Sequence, residues 1–230
     1  MTRLLLVDDD HDLTDLIGEY LEQEGFDVEA VHDGAEGARA ALDGDYALVV
    51  LDGMLPRLDG QEVLRRIRAR SSVPVLMLTG RGDDACRIEG LEAGADDYVT
   101  KPCSPRELTA RVRSILRRLK PELPVLAPQR VLRTGELVMW PEQRRACWRS
   151  QDLSLTPTEF SLLEVLAEAT GRVVSREELS RRALGREVGP YDRNIDVHLS
   201  AIRHKLGPAA DGQPWIRAIR GLGYQFVRLH

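Results

Sequence analysis

At 230 residues, with 43% hydrophobic and 30% charged residues, the chain has a globular composition and the length for two domains of about 100–120 residues each. No apolar run approaches the roughly 20 residues of a membrane span. The opening Leu4-Leu5-Leu6-Val7 is too short for a signal peptide's apolar region, so a cytoplasmic chain without direct membrane binding is expected. Cys86, Cys103 and Cys147 show no zinc spacing, and their odd number argues against a disulfide framework. The net charge of −5 is unevenly divided. Residues 1–119 hold 15 Lys/Arg against 24 Asp/Glu, whereas residues 120–230 hold 17 against 13, which makes nucleic acid a candidate partner for the second half.

In chain order, Arg3–Val7 reads as a strand ending in Asp8-Asp9-Asp10. A helical pattern follows, with Leu13, Leu16, Ile17, Tyr20 and Leu21 on one stripe and Gly25 at its stop. Asp27–Val31 predicts a second strand, Gly34–Leu42 a helix, and Ala47–Leu51 a third strand leading straight into Asp52. Gln61–Arg70 is helical. Val73–Leu78 is a fourth strand ending at Thr79-Gly80, and Asp84–Ala93 a helix closed by Gly94. Asp97–Thr100 is a fifth strand ending at Lys101-Pro102, and Pro105–Leu119 a last helix with proline in its first turn. Continuous apolar strands alternating with helices predict an α/β fold, a (βα)5 doubly wound parallel sheet over residues 1–119.

In such a sheet the carboxyl ends of the strands share one edge, where open α/β sheets keep their sites. That edge would gather Asp8, Asp9, Asp52, Thr79 and Lys101. Three crowded carboxylates demand a cation, and an all-oxygen set of high charge density suits Mg²⁺. Lys101 can pair with Asp52 at rest and with a phosphoryl oxygen afterwards, while Thr79 and the Gly80 amide add donors. The set describes a carboxylate that accepts a phosphoryl group. Taken singly, each residue is more often a helix cap or a surface ion pair, but four separate strand ends supplying the set together are hard to assign to chance. An aspartyl-phosphate phosphohydrolase with Asp8 as nucleophile and Asp10 as acid/base is the alternative, although that family's pattern has a further acidic pair after the lysine, and here Asp96-Asp97 comes before Lys101 and no Asp-Asp follows it.

The segments Val7-Asp8-Asp9-Asp10, Leu51-Asp52-Gly53-Met54-Leu55-Pro56, Leu78-Thr79-Gly80, Gly94-Ala95-Asp96-Asp97-Tyr98 and Lys101-Pro102 resemble the receiver domain of two-component response regulators. The resemblance implies that Asp52 is the phosphoacceptor. It implies Asp8, Asp9, Asp52 and the Met54 carbonyl as the Mg²⁺ site, Thr79 and Tyr98 as a switch pair, and a Lys101–cis-Pro102 turn. Three residues depart from the pattern: Gly53 for a bulky apolar residue, Gly80 for alanine and Cys103 for phenylalanine. Cys103 is read as a small buried filler. Arg87, Asp96, Asp97, Glu107, Arg111 and Arg118 resemble the dimer face of the OmpR/PhoB subfamily, with Arg87–Glu107 and Asp97–Arg111 pairs across a two-fold axis.

Residues 120–129 hold three prolines and no periodicity, and read as a linker. In the domain expected over residues 130–230, Gly135–Trp140, Arg145–Trp148 and Asp152–Leu155 are strand-like. Thr156-Pro157-Thr158-Glu159 is a capping box opening a helix with Phe160, Leu162, Leu163, Val165 and Leu166. Ser175–Glu178 is a second capping box, for a helix through Leu184. Asp192–Leu206 is a third helix capped by Asp192, and Trp215–Ile219 with Tyr224–Val227 forms a hairpin. Together they predict an α+β winged helix-turn-helix. Arg193, Asn194, His198, Ser200, Arg203, His204 and Lys205 are expected to be exposed for a DNA major groove, with Arg217 and Arg220 on the hairpin for a minor groove. The equally open reading is a solvated basic helix.

Val174–Leu179, Asp192–His198, Arg203–Leu206 and Ile219–Tyr224 resemble the OmpR/PhoB effector domain, so the resemblance spans the chain. Ser200-Ala201 stands where other members carry two arginines. The implied function is a phosphorylation-activated transcription regulator rather than an enzyme, with at most self-phosphotransfer and slow self-dephosphorylation. Its implied partners are a membrane sensor histidine kinase, tandem half-sites on double-stranded promoter DNA, a second copy of the chain when phosphorylated, and RNA polymerase. A constitutive DNA-binding protein is the remaining alternative. The stimulus, the kinase, the operator and the sign of regulation are not written in the sequence.

Overall fold

Apolar strands bounded by aspartates organise the first half of the chain. In the computed structural model these are β1 (Thr2–Val7), β2 (Phe26–Val31), β3 (Leu48–Asp52), β4 (Val75–Thr79) and β5 (Asp97–Thr100). They alternate with α1 (His11–Gln23), α2 (Gly34–Asp43), α3 (Gly60–Arg68), α4 (Asp84–Glu92) and α5 (Pro105–Leu119). The structure describes residues 1–80, 84–119, 130–188, 193–209 and 212–227, and of residues 84–87 only the backbone. The expected linker 120–129, the capping Asp192 and the Arg87 side chain lie outside the described residues. The chain divides into two compact units, Met1–Leu116 and Arg117–His230.

In the first unit the sheet is parallel, in the order β2-β1-β3-β4-β5. Every residue of β3 and β4 is buried, which is why neither strand alternates in sequence. Register pairs Val7 with Leu51, Asp52 with Leu78 and Thr79 with Thr100, so the strand ends stand level at one edge. Asp10, Asp33 and Asp59 cap α1, α2 and α3 with side-chain oxygens. The stripe expected on α1 is corrected at Leu16, which is 57% exposed; the buried positions are Thr14, Ile17 and Leu21. Five apolar positions span more of the helix circumference than one sheet can cover, and Leu16 is the one left outside.

The second unit opens with an antiparallel sheet of β6 (Leu132–Thr134), β7 (Leu137–Trp140), β8 (Arg145–Trp148) and β9 (Gln151–Asp152). β6 was not expected, Gly135 belongs to the β6–β7 turn at φ 57°, and the third expected strand shrinks to Gln151–Asp152. Three helical segments follow: α6 (Pro157–Glu168), α7 (Arg176–Leu179), continued by a π-helical turn over Ser180–Leu184, and α8 (Asn194–Leu206). β10 (Val173–Val174), β11 (Ile216–Ile219) and β12 (Gly223–Phe226) form a second sheet in the order β10-β12-β11.

The capping box of α6 is complete, with Thr156 and Glu159 exchanging bonds. That of α7 is half made. Ser175 accepts from the Glu178 amide, but the Glu178 carboxylate is taken by Arg172 and Arg182. Phe160, Leu163, Leu199, Ile202 and Phe226 centre the core, with Trp148 set edge-on to Trp215 at 4.9 Å. Among the described residues no helix is long and apolar enough to cross a membrane.

Candidate functional sites

The level strand ends place Asp8, Asp9, Asp52, Thr79 and Lys101 at one edge of the parallel sheet. Carboxylate oxygens of Asp8, Asp9 and Asp52 all lie within 4.8 Å of one another; Asp8 and Asp52 are buried and Asp9 is exposed. Lys101 Nζ donates to Asp8 Oδ2 at 2.6 Å and stands 3.0 Å from Asp52 Oδ2. The lysine is aimed by its own backbone, since its amide bonds the Thr79 carbonyl at 2.6 Å and the Lys101-Pro102 peptide is cis.

The electrostatics follow from crowding. Burial raises the pKa of Asp52; the Lys101 hydrogen bond opposes that, and the Asp8 charge adds to it. Burial works against the Lys101 ammonium too, but its hydrogen bonds to Asp8 and Asp52 outweigh it and the net direction is upward. Two oxyanions around one ammonium leave negative charge in excess, and the exposed Asp9 adds to it. The donor set is therefore all oxygen, acidic and open on one side, which fits a hard divalent cation.

Thr79 Oγ1 is buried and has no hydrogen-bond partner among the described residues. A buried hydroxyl at the mouth of such a pocket is suited to an incoming oxyanion. A Cβ on Gly80 would lie 2.8 Å from Met54 Cε, so the thioether leans across the space an alanine would occupy; Met54 itself is 62% exposed. Tyr98 is half-buried on β5, and its amide bonds the Asp97 carboxylate at 2.9 Å. Cys103 is half-buried, with burial pushing its thiol pKa up, in keeping with a filler rather than a reactive thiolate.

Two histidines border the site without having been expected there. His32 Nδ1 bonds the Asp8 carbonyl at 2.9 Å, and the His11 ring stacks on His32 at 3.7 Å. They are 21 residues apart in sequence. Only the adjacency of the β1 and β2 ends, invisible before the strand order is known, brings them together.

The residues expected on a dimer face are differently disposed. Asp96 is corrected to a fully buried position, where its carboxylate holds Arg68 at 3.1 Å and the Val75 amide at 3.0 Å. Asp97 and Arg111 form their pair within the chain at 3.1 Å, and Arg111 also stands 3.6 Å from Glu107. Arg118 falls to the second unit, where it donates to Thr158 Oγ1 at 2.7 Å.

On α8 the expected exposure holds for Arg193, Ser200, His204 and Lys205. It is corrected for Asn194 and His198, which are buried. Both share the helical phase of Ile202 and Leu206, four and eight residues beyond His198, and so face the core. Lys205 bonds the buried Glu159 carboxylate at 2.6 Å, and the partly buried Arg203 donates through Nε to the Ile216 carbonyl at 2.7 Å. Arg193, Ser200 and His204 remain as an outward stripe that also carries Asp196. Arg217 is half-buried on β11, and Arg220 is exposed at the hairpin turn.

Comparison with known proteins separates the same two parts. Residues 4–113 match the family described as "Response regulator receiver domain", and residues 150–226 match "Transcriptional regulatory protein, C terminal". The chain is 46% identical to the transcriptional regulatory protein CpxR of Escherichia coli K12, covering 99% of both chains. It is 38% identical to the alkaline phosphatase synthesis transcriptional regulatory protein PhoP of Bacillus subtilis, over 97% of this chain and 95% of that protein. Among solved structures, the response regulator DrrB of Thermotoga maritima, an OmpR/PhoB homolog, is 33% identical over 99% of each chain with a TM-score of 0.51.

Proposed function

The chain belongs to the two-component response regulators of the OmpR/PhoB type, phosphorylation-dependent regulators of transcription, and from that membership we propose the roles of its individual residues. Asp52 is the phosphoacceptor. One of its carboxylate oxygens attacks the phosphorus of a sensor kinase's phosphohistidine. The P–N bond breaks as the P–O bond forms, and the freed imidazole regains a proton from solvent.

Lys101 moves from pairing with Asp52 to pairing with a phosphoryl oxygen. Thr79 supplies its unpartnered hydroxyl to a second oxygen, the Gly80 amide supports a third, and Tyr98 follows the threonine inward. Asp8, Asp9, Asp52 and the Met54 carbonyl would hold Mg²⁺, which supplies neutralisation of the charge that develops on the transferring oxygens. Beyond accepting and slowly losing this group, the protein catalyses nothing.

The second unit binds DNA, with α8 as recognition helix and the β11–β12 hairpin as wing. Arg193, Ser200 and His204 face the groove and Arg220 reaches from the wing. Arg203 and Lys205 serve chiefly to fasten α8 to its neighbours, while Asn194 and His198 pack beneath it. We assign the receiver to residues 1–119, the linker to 120–129 and the effector to 130–230. Phosphorylation biases the receiver toward pairing with a second copy through Arg87, Glu107, Asp97 and Arg111, which sets two effectors on tandem half-sites with RNA polymerase as a further partner.

The observation that carries this reading is the Asp8–Lys101–Asp52 arrangement beside a buried Thr79 hydroxyl with no partner among the described residues. Its test is incubation with a small-molecule phosphodonor and Mg²⁺, followed by intact-mass measurement of wild type and Asp52→Asn. One added phosphoryl group on wild type alone is expected. Addition to both, or to neither, would remove Asp52 from its role.

A further inference from the structure

The recognition helix is fastened to the wing hairpin at two points. Near its start, the Asp196 carboxylate accepts a hydrogen bond from the Tyr224 hydroxyl on β12 and pairs with Arg176 at the head of α7. Near its end, Arg203 Nε donates to the Ile216 carbonyl on β11 at 2.7 Å, and its guanidinium lies 5.6 Å from the centroid of the Tyr224 ring. Asp196 and Arg203 are seven residues apart, about two helical turns, and so share one side of the helix. The hairpin is equally fixed behind: a Cβ on Gly223 would lie 2.1 Å from the Val174 carbonyl, so β12 is pressed against β10.

A carboxylate in this place needs explaining. Asp196 is partly exposed on the stripe that carries Arg193, Ser200 and His204, where an unpaired negative charge would be repelled by DNA phosphates. Its charge is instead taken up by Arg176 and Tyr224, in bonds stronger than neutral ones. We propose that Asp196 is a positioning residue for DNA engagement, fixing through Tyr224 and Arg176 the angle between recognition helix and wing so that both enter their grooves together. This rests on the reading of α8 and the hairpin as the DNA-contacting elements. Burial and the Asp196 carboxylate push the Tyr224 pKa up to about 12, so the hydroxyl keeps the proton it donates across the neutral range. Asp196 is correspondingly unavailable to read a cytosine amino group.

The test uses the full chain and duplexes recovered with wild type from a random-sequence DNA pool. Tyr224→Phe, which removes one hydroxyl, is expected to weaken binding about tenfold while its melt shows the chain still fully folded at the assay temperature. Arg220→Ala should then cost much less in the Tyr224→Phe background than in wild type, because a wing no longer held in place cannot deliver its arginine. Asp196→Asn, which keeps an oxygen acceptor for Tyr224, should retain most of the Arg220 effect, and Asp196→Ala should lose it. Strictly additive losses, or unchanged affinity in Tyr224→Phe, would overturn the proposal while leaving the DNA reading intact. Failure of wild type to retain any duplex would overturn both.

Discussion

Lys101 Nζ stands 3.0 Å from Asp52 Oδ2 while donating to Asp8 at 2.6 Å, so one ammonium is shared by the two buried carboxylates of an acidic pocket. Replacing it by alanine leaves two buried carboxylates uncompensated. Lys101→Ala is expected to lose about 3 kcal/mol of unfolding free energy without divalent cations, toward the lower end for a broken buried pair. Because the folded pKa of Lys101 lies above the ordinary lysine value of 10.5, this contribution is fully present at neutral pH and lost as pH rises beyond it. Urea titrations of both proteins decide the matter; coincident curves would refute it.

Asp52 has the opposite linkage. Burial raises its folded pKa above the ordinary aspartate value of 3.8, so the ionised form costs stability at neutral pH and the cost disappears once the group is protonated. Asp52→Asn should therefore melt higher than wild type near neutral pH without Mg²⁺, and no higher near pH 3. Added Mg²⁺ should raise the midpoint of wild type and leave that of Asp52→Asn nearly unmoved. Thermal melts across pH and Mg²⁺ concentration would show otherwise if the pocket were not electrostatically strained.

Gly60 approaches the backbone behind Asp52. A Cβ there would lie 2.0 Å from the Asp52 carbonyl oxygen and 2.9 Å from Gly53 Cα, both backbone atoms with little freedom to yield. Gly60→Ala is expected to destabilise by about 3 kcal/mol, as overpacking against fixed atoms does. A calorimetric midpoint within a degree or two of wild type would contradict the close approach.

In the second unit, the hydrogen bonds of Arg172 and Arg182 hold the Glu178 carboxyl down at about 2, below the ordinary glutamate value of 4.5. The depressed folded value means the stabilisation is complete above about 4.5 and is lost as pH falls toward 2. Glu178→Gln should lower stability at neutral pH only modestly, since both arginines are more than a third exposed. It should also flatten the acid limb of the stability profile within that window. An unchanged acid limb would count against the pairing.

The acidic pocket was legible because it is written at strand ends. Apolar runs give the strands, parallel order gives the shared edge, and Asp8, Asp9, Asp52, Thr79 and Lys101 follow. The outward face of α8 was less so. Asn194 and His198 look like groove contacts by residue type, yet their four-residue spacing continues through Ile202 and Leu206 and turns them inward. Phase outweighed polarity, and the sequence carried that signal. The stacking of His11 on His32 and the capture of Asp96 by Arg68 carried none, because each joins segments whose proximity depends on the strand order.

The intrachain pairing of Asp97 with Arg111 changes what a second copy of the chain would find. A guanidinium arriving from across a two-fold axis meets a carboxylate already satisfied, so an Asp97–Arg111 pair made between copies replaces one made within each. For that pair, association is a partner exchange with little net ionic gain, and it should add little to the salt dependence of pairing.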